Sequence, residues 1–146
     1  MFPLSVALSI TLVSVSAEFP LPTLGTVQSV AVKGQLLCDG KPAKNVKLKL
    51  YDVDFADPDD LMAEGKTDTN GTFLLKGHET EVTNIDPKLN IYHNCNDERH
   101  ECLRKVEIHI PSDFITQGET EPKKTFNVNV IDLKAKLPGE SRDCIN

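Results

Sequence analysis

Apolar and polar residues alternate along most of this chain, and the alternation has a period of two. Residues 28–38 place Val30, Val32, Gly34, Leu36 and Cys38 on one side. Residues 45–53 place Val46, Leu48 and Leu50 on one face, with Lys47, Lys49 and Tyr51 on the other. A period of two marks a half-buried strand; a helix would need apolar positions three or four apart, and they are missing. The pattern predicts further strands over 61–68, 72–76 and 87–93, the last two turning Phe73, Leu75, Leu89 and Ile91 inward. It predicts another over 103–110, with Val106, Ile108 and Ile110 inward, and a short one over 114–116. The last runs over 124–133, with Phe126, Val128 and Val130 on one face and Asn127 and Asn129 on the other. Asn70-Gly71 predicts a type I′ hairpin, because both residues tolerate positive φ. Only residues 57–62 suggest a turn of helix. Seven or eight short strands with frequent turns predict a single-domain, all-β sandwich.

The first 17 residues break the pattern. They carry no charged side chain, residues 4–15 are nearly all apolar or small, and Val15-Ser16-Ala17 offers small residues for cleavage. That describes a secretory signal peptide, although no Lys or Arg precedes the apolar run. The run is short of the roughly 20 residues a membrane span needs. We therefore expect a signal peptide over 1–17, an extended Pro- and Gly-containing leader over 18–26 and the folded domain over 27–146. The mature protein is expected to be secreted and extracellular, and not integral to a membrane.

Charge then narrows the partners. The chain holds 16 basic and 22 acidic residues, a formal net charge of −6. Nucleic-acid binding needs a basic footprint, so it is disfavoured. Locally, Lys44, Lys47 and Lys49 form a basic stripe, and Arg104 and Lys105 add charge on another strand. Such residues near an anionic lipid surface contribute about 1 kcal/mol each. The competing reading is a solvated sheet face or a guard against edge pairing.

Four cysteines, Cys38, Cys95, Cys102 and Cys144, follow the signal. An even count in a secreted chain reads as two disulfides, with three possible pairings. The short polar loop between them favours Cys95–Cys102, which leaves Cys38–Cys144 to tie the first strand to the C-terminal tail.

Several blocks together resemble the nematode transthyretin-like proteins. They are Val30-Ala31-Val32-Lys33-Gly34-Gln35-Leu36-Leu37-Cys38 with Gly40-Lys41-Pro42-Ala43, and Val46-Lys47-Leu48-Lys49-Leu50-Tyr51-Asp52. Pro58-Asp59-Asp60-Leu61-Met62 and Thr67-Asp68-Thr69-Asn70-Gly71-Thr72-Phe73 follow. Ile85-Asp86-Pro87-Lys88-Leu89-Asn90-Ile91-Tyr92-His93-Asn94-Cys95 and Pro138-Gly139-Glu140-Ser141-Arg142-Asp143-Cys144 complete the set. The resemblance spans residues 27–144 and rests on the order of the blocks. It implies a transthyretin-type Greek-key sandwich of two four-stranded sheets and an extracellular protein. It also implies a possible role: some members of the family act as bridging factors that recognise phosphatidylserine on dying cells and present it to an engulfment receptor.

The remaining constellations are weaker. His93-x-Cys95 and His100-x-Cys102 carry zinc-type ligands, but secretion favours oxidised sulfur over thiolate. Asp52, Asp54, Asp57, Asp59 and Asp60 crowd one loop without the spacing or closing Glu of a calcium loop, and read as a solvated acidic loop. Asn70-Gly71-Thr72 is a glycosylation sequon at a turn that also explains Asn70 by itself. The enzymatic branch of the superfamily, the hydroxyisourate hydrolases, ends in Tyr-Arg-Gly-Ser, whereas this chain ends Ser141-Arg142-Asp143-Cys144-Ile145-Asn146. No G-x-S-x-G motif is present either. The expectation is a non-enzymatic binding module, without metal or cofactor, whose partner is a cell-surface receptor or an anionic phospholipid surface. The alternatives are a carrier of a small hydrophobic ligand, as vertebrate transthyretin is, and a hydroxyisourate-hydrolase-like enzyme.

Overall fold

In the computed structural model, which describes residues 3, 9–17 and 24–146, ten strands build two stacked sheets. They are β1 (Thr26–Cys38), β2 (Lys41–Pro42), β3 (Lys47–Asp52), β4 (Asp60–Lys66) and β5 (Thr72–Glu81). Next come β6 (Pro87–His93), β7 (Leu103–His109), β8 (Thr116–Gln117), β9 (Thr125–Asp132) and β10 (Ser141–Asp143). Residues 1, 2, 4–8 and 18–23, half of those read as signal peptide and leader, lie outside the described residues.

The first sheet is centred on β1. Antiparallel β5 and the short β2 pair along one edge of β1; β8 and the parallel β9 share the other. The second sheet runs β10-β7-β6-β3-β4, antiparallel throughout. The period-two pattern explains the core between them. Val30, Val32 and Leu36 from β1 and Phe73 and Leu75 from β5 meet Leu48, Leu50, Leu89, Ile91 and Val106 from the second sheet. Truncating any of these leucines to alanine would cost about 2–5 kcal/mol, the removed burial plus the cavity left behind.

The fold is the expected all-β sandwich, with ten strands instead of seven or eight. The additional strands, β2 and β10, are only two and three residues long. No α-helix forms near residues 57–62; β4 begins at Asp60 instead.

Two local expectations fail for physical reasons. Asn70-Gly71 does not close a hairpin: its turn carries the chain from β4 in the second sheet to β5 in the first. Gly71 takes φ 75°, and a Cβ there would lie 2.2 Å from the Leu36 carbonyl oxygen; Asn70 does not have positive φ. In β9, Lys33 pairs with Asn127 but Gln35 pairs with Val130, so β9 holds one extra residue, with Asn129 at φ 62°. This bulge reverses the alternation. Phe126 and Val128 pack on the core, then Ile131 and Leu133 take over, and Val130 is left 58% exposed.

The cysteines pair as Cys38–Cys95 and Cys102–Cys144, not as Cys95–Cys102 and Cys38–Cys144. The cause is strand pairing. Asp143 of β10 lies opposite Leu103 of β7, which sets Cys144 beside Cys102 within the second sheet. Cys95, just past β6, is buried and reaches the end of β1, so Cys38–Cys95 joins the two sheets. The loop between Cys95 and Cys102 needs no disulfide, because Asp97 and His100 backbone N–H groups donate to the Asn94 and Asp97 carbonyls.

Candidate functional site

Strand register assembles lysines from four strands on the outer face of the second sheet. Lys47 and Lys49 point outward from β3, opposite the inward Leu48 and Leu50. Lys47 is in register with Lys66 on β4 and Tyr92 on β6, and Tyr92 with Lys105 on β7. Lys88 joins from β6, beside Tyr51. Beneath the lysines sit Asn90 and Tyr92, outward-facing yet only 5% and 4% exposed. Long lysine stems can cover apolar and polar surface while their ammonium groups stay in water. The Asn90 Nδ2 donates to the Tyr92 hydroxyl at 3.1 Å, and burial pushes that phenol up to about 12. Lys49 Nζ lies 5.6 Å from the Tyr92 ring centroid, within reach of a cation–π attraction.

The face is not purely basic. Glu64 accompanies Lys47, Asp59 and Glu107 accompany Lys88, and Glu107 and Asp143 accompany Lys105. Among the described residues, Lys49 and Lys66 have no carboxylate partner. The result is a mosaic with a small positive excess, suited to a ligand of mixed charge more than to a bulk anionic surface.

Of the basic residues singled out from sequence, the structure brings Lys47, Lys49 and Lys105 together. Lys44 lies apart, lining a cavity of about 140 Å³ with His93 and Glu98. Arg104 turns inward and is only 9% exposed. Its guanidinium forks onto Glu140, with Nη2 to Oε2 at 3.0 Å, and also donates to the Cys95 and Ala135 carbonyls. Lys66 and Lys88 were missed in sequence because pairing between strands distant in the chain is what places them there.

The Arg104 cluster joins two of the sequence blocks described above. Arg142 binds Asp97 through both carboxylate oxygens, at 2.6 and 2.9 Å. With Glu140, Lys134 and Lys136 these residues line a cleft of about 400 Å³. Arg142 holds the Asp97 carboxyl below its usual range, and Arg104 does the same for Glu140. His93, 4% exposed, accepts the Cys95 N–H at Nδ1, so the neutral ring carries its proton on Nε2, which is buried without a partner. Burial and then the Arg104 charge lower the ring to about 4. Cys95 and Cys102 lie in disulfides, so their sulfurs are not thiolate ligands.

The acidic loop folds differently from a uniformly solvated one. Asp52 is buried, and Asp52, Asp54, Asp60 and Glu81 each bring an oxygen within 4.8 Å of the others. Burial and the neighbouring carboxylates raise Asp52 and Glu81, and push Asp54 up to about 6.

The model of the transthyretin-like family, TTR-52, matches residues 33–111. The chain belongs to that family. Transthyretin-like protein 5 of Caenorhabditis elegans is 50% identical over 140 residues, covering 95% of this chain and 99% of its own. Transthyretin-like protein 33 of the same organism is 48% identical, covering 92% and 97%. Transthyretin-like protein 2 is 42% identical, covering 92% and 95%. None of these relatives carries an enzymatic name. In this transthyretin-like chain the terminal Arg142 is committed to Asp97 and the Cys102 carbonyl, and Cys144 to its disulfide. Among the described residues no helix is long and apolar enough to cross a membrane.

Proposed function

We propose that this transthyretin-like protein is a secreted, non-enzymatic binding module whose lysine-rich sheet face engages phosphatidylserine exposed on dying cells and presents it to an engulfment receptor. The signal-like segment at 1–17 and the family membership support the extracellular setting. The observation that carries the lipid reading is the convergence of Lys47, Lys49, Lys66, Lys88 and Lys105 on one sheet face, interleaved with carboxylates. The phosphatidylserine headgroup itself carries a phosphate, a carboxylate and an ammonium group. A face of mixed sign matches such a headgroup by pairing charges, while the overall charge of −6 works against unselective adsorption to anionic bilayers.

The test is binding of the mature, oxidised protein to vesicles with and without phosphatidylserine at physiological salt, where exposed charges are screened beyond about 8 Å. The expected result is selective binding that a Lys47→Glu, Lys49→Glu double variant loses. Binding to phosphatidylglycerol vesicles equal to that for phosphatidylserine would remove headgroup recognition. No binding at high lipid would set aside the membrane altogether and leave a protein ligand to be sought.

A further inference from the structure

We propose that Asn70 is an N-glycosylation site, and that its glycan stands over a shallow groove on the outer face of the first sheet. The proposal rests on the secretory reading above. Sequence alone gives Asn70 two explanations, the sequon and the turn, and the structure removes the second. A turn that needed asparagine would use its tolerance of positive φ or its side-chain hydrogen bonds. Gly71 has positive φ at this turn and Asn70 does not. Asp68 ties the turn instead: its Oδ1 accepts the Asn70 and Thr72 N–H groups at 2.9 Å each. Its Oδ2 accepts the Thr72 hydroxyl, and its carbonyl accepts the Gly71 N–H at 3.0 Å. Asn70 contributes only main-chain groups, its carbonyl accepting from Gln35 Nε2 at 2.9 Å. Among the described residues no hydrogen bond uses the Asn70 carboxamide, and the residue is exposed. What remains is an asparagine with a free carboxamide, followed by Gly71 and Thr72, in the acceptor order.

The substrate is a lipid-linked oligosaccharide. Asn70 Nδ2 attacks C1 of its first sugar. The C–N bond forms, the C1–O bond to the diphosphate breaks, the lipid diphosphate leaves, and one amide proton passes to a base. No oxidant or reductant enters.

The position decides the consequence. Thr72 and Gln35, the neighbours of Asn70, line a groove of about 370 Å³ with Lys33, Asn127, Asn129 and Val130. This is where the β9 bulge leaves Val130 exposed. A glycan there covers the exposed Val130 of the edge strand β9, and an exposed edge is a template for unwanted pairing. The lysine face lies on the opposite side of the sandwich and stays open.

The full chain with its own leader can be translated in the presence of microsomes, treated with protease and then with an endoglycosidase. The expected result is a protected band that shifts down on endoglycosidase treatment, with Asn70→Gln already at the lower position. Thr72→Ser should stay modified, since it keeps the hydroxyl. Amine labelling of Lys33 should fall in the glycosylated form relative to Asn70→Gln, while labelling of Lys49 should not change. A protected chain that shows no shift overturns the glycan and leaves secretion standing. A chain that stays protease-sensitive overturns both. Equal labelling of Lys33 in the two forms removes the shielding.

Discussion

The two ends of the second sheet treat charge in opposite ways. Where His93 pairs with Arg104, charges of opposite sign meet: Arg104 forks onto Glu140 and Arg142 onto Asp97, with both disulfides close by. Where Asp52 pairs with Pro87, charges of one sign meet: Asp52, Asp54, Asp60 and Glu81 crowd together. At the first end carboxyls are held below their usual range, and at the second they are pushed above it. The same β-scaffold therefore carries one end whose charges support folding at neutral pH and one whose charges oppose it. Acid should act on the two in opposite senses.

The largest effect should come from breaking the complementary end. Arg104→Ala leaves Glu140 without its partner in a nearly buried position and takes a donor from the Cys95 and Ala135 carbonyls. Removing one member of a buried pair costs about 3–5 kcal/mol. Urea unfolding of the oxidised protein at pH 7 measures it. The more exposed pair gives the contrast: Arg142→Ala should cost far less, because solvent screens the pair. Equal losses would mean that burial does not distinguish the two pairs.

His93 sets the acid response of this end. Its folded value of about 4 lies below the ordinary 6.5. As pH falls through 6.5 the unfolded chain takes up a proton that the folded ring refuses, so stability is lost between about 6.5 and 4, on the order of 2–3 kcal/mol. The folding free energy of His93→Gln should fall less steeply over that window than that of the unmodified chain. Identical slopes would place the acid sensitivity elsewhere.

The pattern of alternation made the sandwich legible and placed Lys47 and Lys49 outward, because each of those signals lies within a single strand. It also held the signal for Arg104. Arg104 stands two residues before the inward Val106, so it shares Val106's face, and Lys105 alone points out. What could not be read was anything set by pairing between distant strands. The family blocks identified the ending at 138–144 without revealing that three of its residues form β10 and so choose the partner of Cys102. The exposed Val130 depends on the bulge at Asn129, and one extra residue leaves no mark on hydropathy. The acidic knot was equally hidden: Glu81 comes from the far end of β5, which runs five residues beyond its last expected position.

The smallest effect, and the one that isolates the like-charge end, is Asp54→Asn. Asp54 is raised to about 6 from an ordinary 3.8 by burial and by its contact with Asp60. The folded state therefore holds this proton more tightly than the unfolded one, and stability contributed here rises as pH falls from about 7 towards 4. At pH 8 the substitution removes a charge that repels Asp52, Asp60 and Glu81, so the melting temperature should rise. At pH 5 the native carboxyl is already mostly protonated, so the gain should shrink towards nothing. This is the reverse of the His93 response, and the two variants together would separate the ends by pH alone. A melting temperature that falls equally at both pH values would show that Asp54 supports its loop by shape rather than opposing it by charge, and the contrast between the ends would then rest on His93 alone.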